Sequence, residues 1–130
     1  MKIEHIAIWV KDIEQSKEFY MKFFRAVPGK IYHNPAKNFT SYFLAFESGA
    51  RLELMHKPEI ANEPKTNLIS EQLGFIHLAI SVGSKEKVDQ LTTLIKENGY
   101  IIKGSPRTTG DGYYESVILD PEGNRIEITI

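Results

Sequence analysis

The sequence contains no cysteine among its 130 residues. It therefore has neither a disulfide framework nor a thiolate nucleophile, and it cannot build a zinc site of the cysteine type. Any metal ion bound by this chain must be held by histidine and carboxylate side chains. A chain of this length is one domain by size and buries about two-thirds of its unfolded surface without cross-links.

An excess of charge of one sign is also missing. The 16 Lys and Arg residues nearly balance the 17 Asp and Glu residues, whereas a nucleic-acid or anionic-membrane binder is expected to carry a basic surface. No run of about 18 apolar residues is present, and the start of the chain shows no apolar signal core. We therefore expect a cytoplasmic protein whose partner is a small-molecule substrate, with no nucleic acid and no membrane.

What the chain does contain is an internal repeat. Residues 75–80 read FIHLAI and repeat the EHIAI of residues 4–8, while the RLEL of residues 51–54 returns as the RIEI of residues 125–128. Each copy thus opens with a histidine and closes with a glutamate. The four residues in question are His5, Glu53, His77 and Glu127.

These four side chains have the chemistry of a metal-ligand set. Imidazole nitrogens and carboxylate oxygens bind divalent transition metals at about 2.0–2.2 Å, and two of each leave two positions of an octahedral ion for water or substrate. Side chains alternate along a strand, which places all four on the face opposite the aliphatic residues. A lone strand histidine is more often structural, but matching pairs in two copies favour a metal site. His33 and His56 lack such partners, and His56 is the one expected to approach a ligand because it follows the Glu53 strand.

Each copy is predicted to fold as a βαβββ module, which gives an α+β protein. Asp12 caps a predicted helix over 13–24, and Ser84 caps a second helix from 85 to about 98 that stops at Gly99. The buried stripe of the second helix is predicted to be Val88, Leu91, Leu94 and Ile95. Strands are predicted at 3–10, 39–46, 51–56, 74–82, 100–103, 113–119 and 125–130, with a short edge strand around 31–32.

The organisation that follows is a single domain over 1–130, with module one at 1–56, a linker at 57–72 and module two at 73–130. The linker is either a solvated connection or, in part, a lid over a pocket. The loop at 105–112, with Pro106, Gly110 and Gly112, is predicted to border a cavity.

Over its whole length the chain resembles the glyoxalase I, bleomycin-resistance and extradiol-dioxygenase group, the vicinal oxygen chelate superfamily, and most of all its small glyoxalase-I-like metalloproteins. The resemblance rests on HIAI at 5–8, Asp12 with Phe19 and Tyr20, LEL at 52–54, HLAI at 77–80 and DPEG at 120–123. It implies paired βαβββ modules that form an open, mixed-sheet, barrel-like cleft around one divalent transition metal. Nickel, cobalt or zinc is expected, with iron and manganese as alternatives.

The set of predicted ligands indicates which branch of the superfamily the chain resembles. Extradiol dioxygenases and fosfomycin-modifying members use two histidines and one glutamate, whereas glyoxalase I adds a fourth ligand, which Glu53 matches. The expected activity is that of a glyoxalase-I-like lyase or isomerase acting on a small oxygenated carbonyl compound or its thiol adduct through a metal-stabilised enediolate. Glu127 would move the proton, and Glu53 is the second catalytic carboxylate. Trp9 and Lys57 stand where bacterial glyoxalase I enzymes carry glutathione anchors, so turnover of the glutathione adduct is not expected.

Residues on the same faces as the ligands are expected to contact the substrate. Trp9, Arg51 and Phe75 are predicted to do so, together with His56. For Arg51 and Arg125, pairing with the metal-bound glutamates is an equal alternative.

Two other functions and one assembly stay open from the sequence. The chain could be a metal-free drug- or metabolite-binding protein, as bleomycin-resistance members are, or a dioxygenase or thiol transferase that uses the same site. We expect a homodimer, because modules of about four strands leave sheet edges that need a cover. The ligands then come either from one chain or from both subunits.

Overall fold

The structure, a computed structural model, describes residues 1–61 and 73–130. The chain divides into two compact units, residues 1–65 and 66–130. Each unit has its own sheet and its own core. Within the described residues, no helix has the length and apolar character needed to cross a membrane.

Unit 1 is a five-stranded mixed sheet covered by one long helix. The sheet order is β1-β5-β4-β2, and β3 also pairs with β4. β1 runs parallel to β5, and the other pairings are antiparallel. In chain order, the elements are β1 His5–Trp9, α1 Ile13–Phe24, β2 Val27–Pro28, β3 Tyr32–Asn34, a 3₁₀ turn Pro35–Lys37, β4 Phe39–Ala45, β5 Arg51–His56 and α2 Pro58–Ala61.

Helix α1 has the predicted bounds, and its ends show why. The Asp12 side chain accepts a hydrogen bond from the Gln15 backbone N–H at 2.9 Å and so caps the first turn. The helix ends at Arg25, which adopts a left-handed conformation with φ of 54°. The helix thus ends three residues before Pro28 is reached. The core of unit 1 contains Phe19, Tyr20 and Phe23 from α1, together with Leu44, Leu52 and Leu54 from the sheet.

Unit 2 repeats this plan with four strands in the order β6-β9-β8-β7. β6 runs parallel to β9, and the hairpins β7–β8 and β8–β9 are antiparallel. The turn before β9 is held by Asp120, whose carboxylate accepts hydrogen bonds from the backbone N–H groups of Glu122 and Asn124. The elements are β6 His77–Ser81, α3 Lys85–Glu97, β7 Ile102–Thr108, β8 Tyr114–Leu119 and β9 Arg125–Thr129.

The α+β class and the two mixed sheets are confirmed, and two details of unit 2 differ from the prediction. Leu94 is 44% exposed and Leu91 only half-buried, whereas Thr92 is buried with Val88 and Ile95. The apolar pattern did not identify Thr92 because threonine carries a polar hydroxyl. The residue can nevertheless be buried because this hydroxyl donates a hydrogen bond to the Val88 carbonyl at 2.6 Å.

The second difference concerns the predicted loop at 105–112. Strand β7 continues through Thr108 despite Pro106, because two irregularities in its pairing with β8 accommodate a residue that has no backbone N–H. The connection to β8 is therefore shorter than predicted.

Two further outcomes concern unit 1 and the linker. The second strand of the predicted βαβββ module is divided into β2 and β3 in unit 1, so this unit has one strand more than expected. The linker begins with the short helix α2, and its remainder, with the predicted lid, lies outside the described residues.

Candidate metal centre

The first histidine–glutamate pair is brought together by the parallel pairing of β1 with β5. In that register Ala7 lies opposite Glu53, and His5 lies opposite Arg51. His5 and Glu53 share one face of the sheet, and the distance from His5 Nε2 to Glu53 Oε2 is 3.8 Å. The Glu53 side chain is only 14% exposed, because its strand neighbours Leu52 and Leu54 anchor the other face in the core.

Glu4 supports His5 from behind, and the sequence reasoning did not identify it. Its carboxylate accepts a hydrogen bond from Arg51 Nε at 2.8 Å and also pairs with His5 Nδ1. These hydrogen bonds, from His5 first and then Arg51, hold the pKa of Glu4 below its ordinary value. With Glu4 at Nδ1, Nε2 is the ring nitrogen that faces Glu53 and that a metal ion could reach. Histidines that bind metals are commonly oriented in this way.

Arg51 is itself held at two sides. Its guanidinium bonds Glu4 through Nε and Nη2 and lies 4.1 Å from the centre of the Phe43 ring. The His5 ring contacts the same Phe43 edge-to-face at 5.2 Å. Of the alternatives for Arg51, pairing with a glutamate is thus realised with Glu4 rather than with Glu53.

The second pair, in unit 2, has the same construction. β6 runs parallel to β9 with Ala79 opposite Glu127. The distance from His77 Nε2 to Glu127 Oε2 is 3.5 Å. Arg125 lies opposite His77 in the register. At the position of Glu4, however, unit 2 has Ile76, which cannot orient a histidine.

The polar support in unit 2 lies beside the glutamate instead. Glu115 is 8% exposed and lies on β8, and Arg107 Nη2 is 3.2 Å from its Oε1. Burial raises the pKa of the Glu127 carboxyl, and the charge and hydrogen bonding of Glu115 raise it further, while the charge of His77 opposes this. Sequence reasoning missed both Glu115 and Arg107, although Glu115 shares its strand face with Val117, which pairs with Glu127.

The predicted substrate contacts are placed as follows. Trp9 is partly exposed at the end of β1, and its ring contacts Phe39 edge-to-face at 6.0 Å. Phe75 is exposed just before β6. His56 lies three residues after Glu53 on β5 and therefore on the opposite face of the strand. Its Nδ1 lies 3.1 Å from the Val10 carbonyl oxygen, to which it donates a hydrogen bond. Their contact with a substrate stays a prediction.

The donor pairs fit a metal ion. Two ligands that each lie about 2.1 Å from one ion can be no more than about 4.2 Å apart, and the separations of 3.8 and 3.5 Å are within this limit. Neutral imidazole with carboxylate is also the donor chemistry that zinc, nickel and cobalt accept. Within residues 1–61 and 73–130, no three His, Asp or Glu side chains meet in one potential metal group. Each unit therefore supplies a pair, and the four-ligand set stays a prediction.

Comparison with known proteins identifies the class. The profile of the Glyoxalase/Bleomycin resistance protein/Dioxygenase superfamily matches residues 2–128, nearly the whole chain. The protein belongs to this superfamily. The resemblance inferred from the repeated motifs is thereby confirmed.

One enzyme and two solved structures of this superfamily are similar to the chain over nearly its whole length. The chain is 31% identical over 130 residues to the trivalent organoarsenical cleaving enzyme of Bacillus sp. (strain MD1), which covers 98% of this chain and 71% of that enzyme. Among solved structures, a glyoxalase family protein from Enterococcus faecalis matches with a TM-score of 0.79 and 25% identity, over 99% of this chain and 97% of that one. Glyoxalase I from Zea mays matches in fold with a TM-score of 0.79 and 23% identity, and this chain spans only 44% of the maize chain.

Proposed function

We propose that this protein is a glyoxalase-I-like metal-dependent lyase or isomerase that acts on a small oxygenated carbonyl compound or its thiol adduct. The observation that carries this proposal is the matched His–Glu pair in each unit, at 3.8 Å and 3.5 Å. Membership of the superfamily supports it.

His5, Glu53, His77 and Glu127 are the proposed ligands of one divalent ion, with nickel, cobalt or zinc preferred and iron or manganese as alternatives. When bound, such an ion supplies Lewis-acid polarisation of the substrate oxygens. Glu127 takes a proton from the substrate carbon and returns it to the neighbouring carbon as general base and acid. Glu53 and the two histidines keep their positions, and the Glu4 carboxylate keeps His5 oriented.

We also propose a homodimer, with the ligands drawn either from one chain or from both subunits. Mixing the His5→Ala and His77→Ala variants distinguishes the two arrangements. If sites are shared, a mixed dimer has one site with both lesions and one intact site, so activity returns. No recovery despite proven subunit exchange assigns all four ligands to one chain.

Metal content tests the ligand assignment. We expect His5→Ala, His77→Ala, Glu53→Gln and Glu127→Gln each to lower metal affinity more than about tenfold, since even outer-shell partners of ligands contribute that much. Equilibrium dialysis with zinc and with nickel measures this directly. His33→Ala is the matched control, because His33 lies on β3, where its Nδ1 contacts Thr40 Oγ1 at 3.1 Å.

Unchanged affinity in all four ligand variants would refute the assignment. Protein that binds no metal at all would instead favour the metal-free binding function.

For the substrate, the turnover of methylglyoxal adducts of simple thiols is compared with the turnover of the glutathione adduct. Efficient turnover of the glutathione adduct would overturn the expectation drawn from Trp9 and Lys57.

The Bacillus relative motivates a second candidate, cleavage of a trivalent organoarsenical at the same site. The absence of cysteine weighs against it, because this chain has no thiolate of its own to bind arsenic. Release of inorganic arsenite from phenylarsonous acid, in the presence of a small-molecule thiol, would establish this activity.

A further inference from the structure

Strand β7 carries a feature that its counterpart in unit 1 lacks. Gly104 pairs with Val117 and Arg107 pairs with Glu115, with a register irregularity between them. Val117 and Glu115 are two residues apart, so their partners lie on one face. Gly104 and Arg107 are three apart and would lie on opposite faces of a regular strand. The irregularity therefore re-aims Arg107 onto the face that carries Glu127.

The absence of a side chain at Gly104 leaves room for the re-aimed guanidinium. A Cβ built at Gly104 would lie 3.4 Å from Arg107 Nη1 and 3.5 Å from the Val117 Cβ. These distances are those of van der Waals contact, so the guanidinium packs directly against the backbone at Gly104. The irregular pairing of β7 therefore places Arg107 on the same face as the predicted ligand Glu127.

Arg107 keeps most of its bonding capacity. A guanidinium has five N–H donors, and the ion pair with Glu115 joins one nitrogen and one oxygen at 3.2 Å. The Arg107 side chain is 54% exposed, whereas that of Glu115 is 10% exposed. Arg51 differs, since it bonds Glu4 through two nitrogens and packs on Phe43. The buried Glu115 carboxylate thus holds one nitrogen of the Arg107 guanidinium, and the rest of this group is accessible to solvent.

We propose that Arg107 binds a carboxylate or similar planar oxyanion of the substrate, and that this makes it the residue that selects anionic substrates. This inference rests on the proposed function, because a divalent ion at Glu127 would offset the two carboxylates, Glu115 and Glu127, that otherwise repel an anion. The planar fork of arginine matches a carboxylate with two parallel hydrogen bonds. The substrate class is thereby narrowed to oxygenated carbonyl compounds that carry a negative group near the reacting carbons.

The test compares pyruvate with pyruvamide, its neutral amide, by titration calorimetry on zinc-loaded protein. We expect pyruvate to bind about tenfold more tightly than pyruvamide, the factor that one hydrogen bond to a charged group contributes. R107Q should remove this preference by weakening pyruvate alone, and R107K should keep part of it because the charge remains without the fork. Lys96→Gln, on helix α3, is the control and should change neither constant.

R107Q leaves Glu115 buried without its partner, so folding is checked with a matched pair. E115Q keeps Arg107 and should keep the preference for pyruvate, and the double variant R107Q/E115Q, which buries no unpaired charge, should lose it. Loss of the preference in E115Q together with retention in the double variant would contradict the assignment.

Metal content is measured in the same samples, which separates the two proposals. Full zinc occupancy with equal binding of pyruvate and pyruvamide overturns the role of Arg107 and leaves the metal site intact. If the wild-type protein binds no zinc, the proposed function fails. The role of Arg107 then fails with it, because without a divalent ion the carboxylates of Glu115 and Glu127 repel an anionic substrate.

Discussion

The two units share a plan but place their polar support on opposite members of the ligand pair. In unit 1, Glu4 and Arg51 hold the histidine, and Glu53 has leucines as its strand neighbours. In unit 2, Glu115 and Arg107 lie beside the glutamate, and His77 follows Ile76. Under the proposed function, the support in unit 1 would orient the ligand His5, and the support in unit 2 would act on the carboxylate of Glu127.

The second strand of each module also differs between the two units. Unit 1 divides it into β2 and β3, whereas unit 2 keeps one irregular strand that presents Arg107. Ser41 pairs with Met55 in unit 1 as Glu115 pairs with Thr129 in unit 2. A hydroxyl therefore stands where unit 2 has its buried carboxylate.

The largest expected effect tests the part of the plan that the units share. Leu54→Ala and Ile128→Ala remove fully buried side chains from corresponding positions of β5 and β9. Each should lower the free energy of unfolding by about 3 kcal/mol, the sum of lost burial and a residual cavity. Urea unfolding followed by circular dichroism measures both.

Leu94→Ala is the control for this comparison, since Leu94 was predicted to be buried and is partly exposed. It should cost much less than either core substitution. An equal cost would show that the outer face of α3 is covered in solution.

The next largest effect tests whether the Glu4 carboxylate, which supports His5 in unit 1 only, contributes to metal binding. Glu4→Gln removes the charge that orients His5 and should weaken zinc binding about tenfold. Competition with a chelator of known affinity measures this. Glu97→Gln, at the exposed end of α3, should have no effect, and equal weakening by both variants would mean that net charge rather than orientation matters.

The smallest effect concerns two buried hydroxyls on the helices. Ser16 Oγ has no hydrogen-bond partner among the described residues, so Ser16→Ala should raise the free energy of unfolding by about 1 kcal/mol. Thr92 bonds both the Val88 carbonyl and Ser116, each at 2.6 Å. Thr92→Val should therefore lower it by about 1 kcal/mol or more. Thermal unfolding distinguishes the opposite signs, and destabilisation by Ser16→Ala would imply a partner for that hydroxyl.

The sequence predicts this fold well where one local rule decides the structure. The Asp12 cap fixed the start of α1, and strand alternation placed Leu52 and Leu54 in the core and Glu53 on the other face. The repeat then identified both histidine–glutamate pairs. All of these follow from residues that are near in sequence or that recur at matching places.

The remaining site residues depend on register, which the sequence does not reveal. Glu4 precedes the first residue of β1, where alternation no longer determines the direction of a side chain. Arg107 was assigned to a loop because Pro106 suggested one, and only the paired strand shows the irregularity that re-aims it. Glu115 could have been found as a charge on the Val117 face of its strand.

The parallel pairing of β1 with β5, and of β6 with β9, has a consequence for how the protein forms. In each unit the first strand joins the last, so neither pair exists until the whole intervening chain has been arranged. Contacts between such distant segments form late, because the entropy of closing the loop must be offset by structure made before. We therefore expect the histidine and the glutamate of each unit to be brought together late in folding, when the first and last strands pair.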